Sequence, residues 1–134
     1  MLTMFTIEQI KEIHSKVRSG ADFPKYVQEI NMLGVTSYEI SIKDGHAIYK
    51  GQNDYSVSSD ARWTDKEIAG PASAEKLEHC LKIHQLGKTD YLTFCQQAAD
   101  SGVEKWKVDI AKMKCIYYDK DEKTLLEEAI PMPA

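Results

Sequence analysis

Histidine and cysteine are the side chains of this sequence best suited to chemistry, and one short stretch concentrates them. His79, Cys80 and His84 lie close together, with Cys80 and His84 four residues apart. On a helix that spacing puts both on one face, where they could share a metal ion. Zinc usually takes three or four ligands, and the chain carries neither a CxxC nor an HExxH pattern. The alternative for His84 is a core residue with one hydrogen bond. Neither a metal nor a cofactor is expected. Cys95 could form a thiol–imidazole pair with His84, although no neighbouring residue type would activate the thiol. His14, His84, Cys80 and Cys95 together make a candidate pocket set, with no residue marked as catalytic. Gly87-Lys88-Thr89 resembles the end of a phosphate loop, but that motif needs a glycine where Lys82 stands. A helix stop followed by the next helix's cap explains these three residues better.

The aromatics give a second set. Tyr38, Tyr49, Tyr55, Trp63, Trp106, Tyr117 and Tyr118 cluster in or beside segments that read as β-hairpins. Tyr117 and Tyr118 are adjacent in a strand, so they point to opposite faces. Trp63 falls in a polar connector, where a large ring needs something to pack on. It either pins the connector to the body or serves in binding. Trp63, Tyr38, Trp106 and Tyr118 are therefore the candidate binding surface.

The elements that position these residues are legible from pattern. Thr6 with Gln9 forms a capping box before Ile7, Ile10, Ile13, His14 and Val17, which recur at helical spacing until Ser19-Gly20. Asp22 caps a second helix with Pro24 in its first turn, and Gly34 closes it. Tyr38, Ile40 and Ile42 alternate with polar residues, Asp44-Gly45 marks a turn, and Ala47–Lys50 returns. A short third strand is expected over Tyr55–Ser58. Residues 59–72 are polar and end in Gly70-Pro71, as a connector would. The order then recurs. Ser73 opens one helix, Thr89 or Asp90 the next, and Gly102 ends it. Trp106, Val108 and Ile110 alternate, Cys115–Tyr118 returns, and Thr124–Ile130 supplies a last strand. Residues 131–134 read as a loose tail.

This recurrence is an internal repeat. Residues 22–49 superpose on 90–117 without gaps, and seven positions are identical. They are Asp22/Asp90, Gln28/Gln96, Gly34/Gly102, Val35/Val103, Ile42/Ile110, Ile48/Ile116 and Tyr49/Tyr117. Phe23/Tyr91, Tyr26/Phe94, Tyr38/Trp106 and Ile40/Val108 are conservative, and Ile13-His14 matches Ile83-His84 after a short gap. The matches fall on helix caps and on faces expected to be buried. In the same alignment Cys95 replaces Val27 and Cys115 replaces Ala47, which suits small core side chains. The expected fold is α+β: two helix-helix-hairpin repeats, about 6–58 and 73–130, sharing one core in a single domain over 1–134. Helices cover the antiparallel strands, and a groove or self-association surface sits on the pseudo-two-fold axis.

The stretch from Leu81 to Tyr118 also carries a family resemblance. His84, Gly87-Lys88-Thr89, Phe94-Cys95, Ala99, Gly102-Val103, Trp106, Asp109 and Tyr117-Tyr118 together resemble the YbcV/YdfO-like family. Those are uncharacterised bacterial and prophage-encoded proteins, some labelled "phage envelope protein". The resemblance is strong over the second half and weaker over residues 1–60. It implies a prophage link, and no catalytic residue or cofactor comes with it. The sequence does not suit the envelope label, since it has no apolar anchor and an ordinary composition.

Bulk properties narrow the function. With 134 residues, 43% hydrophobic and 28% charged, the chain can build one real core. A net charge of −4 with dispersed lysines argues against binding nucleic acid. No apolar run approaches bilayer length, no signal peptide opens the chain, and the three cysteines suit free thiols in the cytoplasm. The first expectation is a non-enzymatic binding module for a protein partner or a second copy of itself. The alternative is a small-ligand protein or enzyme with a pocket at the repeat interface, using His84 and a nearby cysteine. Convergence of His84 and a cysteine in a concave cavity would favour the second.

Overall fold

The computed structural model describes residues 5–17 and 22–130. The helix stop assigned to Ser19-Gly20 and the tail at 131–134 lie outside the described residues. Thr6 accepts from the Gln9 amide at 3.2 Å while Gln9 Oε1 accepts from the Thr6 amide at 2.8 Å, so the capping box starts α1, Ile7–His14. Asp22 stands at the N-cap position of α2, Phe23–Leu33, and Pro24 fills its first turn. Gly34 ends α2 in the left-handed region, at φ +112°. Three strands follow: β1, Ser37–Ser41; β2, Ala47–Lys50; and β3, Ser56–Ser58. The second half repeats the order with α3, Ala74–Gln85; α4, Tyr91–Asp100; β4, Lys105–Asp109; β5, Lys114–Tyr118; and β6, Thr124–Ala129. Ser73 and Asp90 cap α3 and α4 through their side-chain oxygens.

The six strands form one antiparallel sheet in the order β3-β2-β1-β4-β5-β6. The two halves meet at β1 and β4. There Glu39 stands opposite Lys107, its repeat mate, and the flanking pairs run symmetrically outward from that point. The amide of Ile42 donates to Glu104 at 2.8 Å, and the amide of Ile110 donates to Thr36 at 3.0 Å. These two bonds exchange under the repeat, so a local two-fold axis passes between Glu39 and Lys107. Period-two burial makes one face of the sheet the core face. Tyr38, Ile40, Ala47, Tyr49, Trp106, Val108, Cys115 and Tyr117 point into the core with the apolar stripes of the helices. Glu39, Lys107 and half-buried Tyr118 lie on the other face. One core thus serves both halves of an α+β fold.

Two features depart from a plain hairpin reading. Asp44-Gly45 belongs to a longer loop between β1 and β2, with Gly45 at φ +80°. The segment 59–72 is fastened along its length. Arg62 and Trp63 amides donate to Asp44, Lys66 to Lys43, Ala69 to Ala99 and Ser73 to Ser101, all at 2.7–3.2 Å. Buried Ile68 anchors its middle.

Candidate functional site

The helices do not close completely onto the sheet. A cavity of about 680 Å³ lies between them, and its lining comes from both halves in matched pairs. From the sheet come Tyr38 with Trp106, Tyr49 with Tyr117, and Ala47 with Cys115. From the helices come Tyr26 with Phe94, Phe23 with Tyr91, and His14 with His84. The pairing has a simple cause. Inward positions of β1, β2, β4 and β5 carry rings, and the repeat brings equivalent rings to the same space. Lys11, Asp60, Arg62, Asp90 and Glu128 add charge to the lining.

The rings touch one another in edge-to-face and tilted pairs. Tyr26 lies 6.3 Å from Tyr38 and Tyr38 lies 5.2 Å from Tyr49, centroid to centroid. On the other side Phe94 is 5.8 Å and Tyr117 6.2 Å from Trp106. Tyr91 bridges the sides, 5.5 Å from His14 and 6.2 Å from Trp106. The Tyr26 hydroxyl donates to that of Tyr49. Burial pushes the phenols of Tyr26, Tyr38, Tyr49, Tyr91 and Tyr117 above their ordinary range. They therefore face the cavity as neutral groups that can donate or accept.

The two histidines differ. His84 stacks on Phe94 at 4.6 Å, and its Nδ1 lies 3.1 Å from the Thr89 carbonyl and 3.0 Å from its hydroxyl. His14 makes ring contacts with Tyr26 and Tyr91 and has no hydrogen-bond partner among the described residues. Burial lowers the pKa of both. The Arg62 charge adds to the effect at His14, while the Thr89 carbonyl opposes it at His84. Both imidazoles are neutral at pH 7, and His14 keeps a donor and an acceptor to offer.

The cysteines do not complete a thiol–imidazole pair. Cys95 is fully buried, takes a hydrogen bond from Tyr91, and is pushed up to about 12 by burial. Cys80 is buried in the helix layer and is not part of the cavity wall. Cys115 does line the cavity, but burial and the charge of Glu128 push its thiol up to about 12. A protonated thiol is a poor nucleophile and a poor metal ligand. Among the described residues no three His, Cys, Asp or Glu side chains gather as a metal-ion site.

The aromatic candidates separate. Tyr38 and Trp106 are 3% and 6% exposed, so they form cavity wall and present no open outer surface. Trp63 donates from Nε1 to the carbonyls of Ile42 and Lys43, each at 3.1 Å, and its ring fills the space beside Gly45. Those contacts pin the connector to the β1–β2 loop. Tyr118 stands on the outer face with Lys105 Nζ 5.4 Å from its ring centre. The sequence reading did not single out Arg62, Tyr91 or Glu128 as site residues. The available signal was tyrosine at positions where a core would accept phenylalanine or leucine.

Among the described residues no helix is long and apolar enough to cross a membrane. The family described as "Protein of unknown function (DUF1398)" matches residues 11–129, nearly the whole chain, so the chain belongs to that family. No curated protein matches the sequence.

Proposed function

We propose that this member of the DUF1398 family is a small-molecule-binding protein whose ligand sits between its helices and its sheet. The observation that carries this reading is the cavity of about 680 Å³, walled by rings from both halves. Sites for small ligands usually enclose about 300–1,000 Å³ and combine apolar walls with a few polar groups. Here the tyrosine hydroxyls, His14 and His84 supply those groups. The rings favour a flat, largely apolar ligand that can stack edge to face. Binding needs no step at a thiol, and the raised thiol pKa values speak against one. The reading takes 1–134 as one domain, because both halves wall the same cavity.

The competing reading is a surface for a protein partner or a second copy of the chain. It keeps Trp63 and Tyr118 but loses Tyr38 and Trp106 to the cavity, and so ranks second. A cytoplasmic setting goes with both, since the three free thiols suit a reducing compartment. The prophage link rests on the Leu81–Tyr118 resemblance to YbcV/YdfO-like proteins and belongs to the proposal on the same terms.

A neutral naphthalene dye whose emission depends on polarity tests the reading. It should bind with one-to-one stoichiometry, turn blue-shifted and receive energy from Trp106. His14→Trp places a large ring in the cavity from half-exposed α1, and should weaken the dye at least about ten-fold while leaving Tm nearly unchanged. Dye binding that ignores His14→Trp, or no binding at all, contradicts the proposal.

A further inference from the structure

Resting on the small-molecule reading, we infer that the ligand is a flat aromatic acid, its anion held at the Arg62 end of the cavity and its ring toward Trp106. The two ends of the cavity are electrostatically unlike. Arg62 extends from the connector over the ring of Tyr91, 5.3 Å from its centre, and lies in the cavity wall. Its backbone amide is fixed to the Asp44 carbonyl at 2.7 Å, so the guanidinium is delivered there by a held segment. It forms no ion pair with a carboxylate among the described residues, unlike Lys43, Lys105 and Lys114. His14, beside the same Tyr91 ring, has no hydrogen-bond partner among the described residues. The Arg62 charge reaches the neutral phenols of Tyr26, Tyr49 and Tyr91, of which Tyr49 still has its proton to donate.

An unpaired guanidinium next to the neutral imidazole of His14 and the Tyr49 hydroxyl is a set of donors converging on one region. A carboxylate is the chemistry that takes such donors, through paired N–H bonds to its two oxygens. Asp60 also lies near this end and, like Arg62, is exposed to water, but no ion pair joins the two among the described residues. Asp90, next in sequence to Tyr91, is spent on capping α4. At the other end Glu128 is half-buried with Gln85 as its hydrogen-bond donor, and an anion there would meet its carboxylate. A ligand cation would find its natural place at the Glu128 end, and that is the alternative the test must separate.

Calorimetry with three probes of one shape decides the matter: 2-naphthoate, neutral 2-naphthamide, and protonated 2-(aminomethyl)naphthalene. Naphthoate should bind at least about ten-fold more tightly than the amide, and the amine least. Arg62→Gln should erase most of the naphthoate advantage, by about ten-fold, and weaken the amide far less. Arg62 is exposed, so the variant folds as wild type does, which circular dichroism verifies. Equal binding of naphthoate and amide, or tightest binding of the amine, overturns the acid assignment while sparing the small-molecule reading. Failure of all three probes overturns both. Binding of naphthoate that is indifferent to Arg62→Gln overturns the placement of the anion.

Discussion

Tyr26, Tyr38 and Tyr49 in the first half stand where Phe94, Trp106 and Tyr117 stand in the second. The elements recur in the same order, yet the first wall sets Tyr26, Tyr38 and Tyr49 beside Arg62, while the second keeps Tyr91 and Tyr117 but places Phe94 and Trp106 with Cys115 and Glu128. Opposite Ala47 the chain places Ser59, whose hydroxyl accepts from the Ala47 amide at 2.9 Å. Opposite Cys115 it places Glu128. The repeat therefore fixes where side chains meet, and the substitutions between copies decide what they can hold. A scaffold whose two halves repeat one order of elements can still present a cavity with two chemically distinct ends.

The strongest way to sharpen this comparison is at the paired glycines, because there the halves differ in packing rather than chemistry. Gly34 and Gly102 both hold positive φ after their helices, at +112° and +92°. A Cβ on Gly34 would meet only the Phe5 ring at 3.6 Å, whereas one on Gly102 would lie 2.5 Å from the Ala72 backbone. Gly34→Ala should cost about 1–2 kcal/mol, the ordinary penalty for a left-handed alanine. Gly102→Ala should cost roughly 3–5 kcal/mol, since the connector must also move. Urea midpoints at constant m-value read the difference, and equal losses would mean that the connector packs alike against both halves.

The next test asks whether the hydroxyls of the first wall matter more than those of the second. Tyr49→Phe removes the acceptor of the Tyr26 hydroxyl and leaves that donor buried. Tyr117→Phe removes only a donor to the soft sulfur of Cys115. The first should cost about 1–2 kcal/mol and the second about half that or less. The reverse order in thermal or urea unfolding would break the assignment of a polar first wall.

The smallest effect is expected at Glu128, and its sign is diagnostic. Burial raises its pKa in the folded chain, with the Gln85 hydrogen bond opposing the shift. The folded protein thus binds this proton more tightly than the unfolded one, so stability contributed by the protonated form is lost as pH rises through the folded pKa. Glu128→Gln keeps an acceptor for Gln85 without the charge. It should raise Tm by roughly 1–2 °C near pH 7, a modest gain because water still reaches the group. The gain should vanish below about pH 4, where Glu128 is protonated in both states. A lower Tm for the variant at pH 7 would show that the carboxylate is well paired.

Much of the scaffold was legible because its signals are local. Thr6 with Gln9, Ser73 and Asp90 announce helix starts within four residues, and Gly34 and Gly102 announce stops. Tyr38-Ile40 and Trp106-Val108 announce strands by alternation alone. The repeat then indicated that the halves share a core. The site was less legible, because a cavity depends on how far the helices stand off the sheet, and no residue type encodes that distance. His14 and His84 were found through their chemistry and do line the cavity. Arg62 was passed over in a polar connector, since only its tertiary contact with Tyr91 gives it meaning. Tyr38 and Trp106 were chosen as surface because period-two spacing shows that alternate residues face apart but not which face the helices will cover.

Intermolecular nuclear Overhauser effects from a bound neutral naphthalene test the central claim most directly. Contacts to ring protons of Tyr38, Tyr49, Trp106 and Tyr117 together are predicted, since only the space between helices and sheet reaches all four. Contacts to Tyr118 and Ile48 on the outer face of the sheet, with none to those four rings, would contradict it.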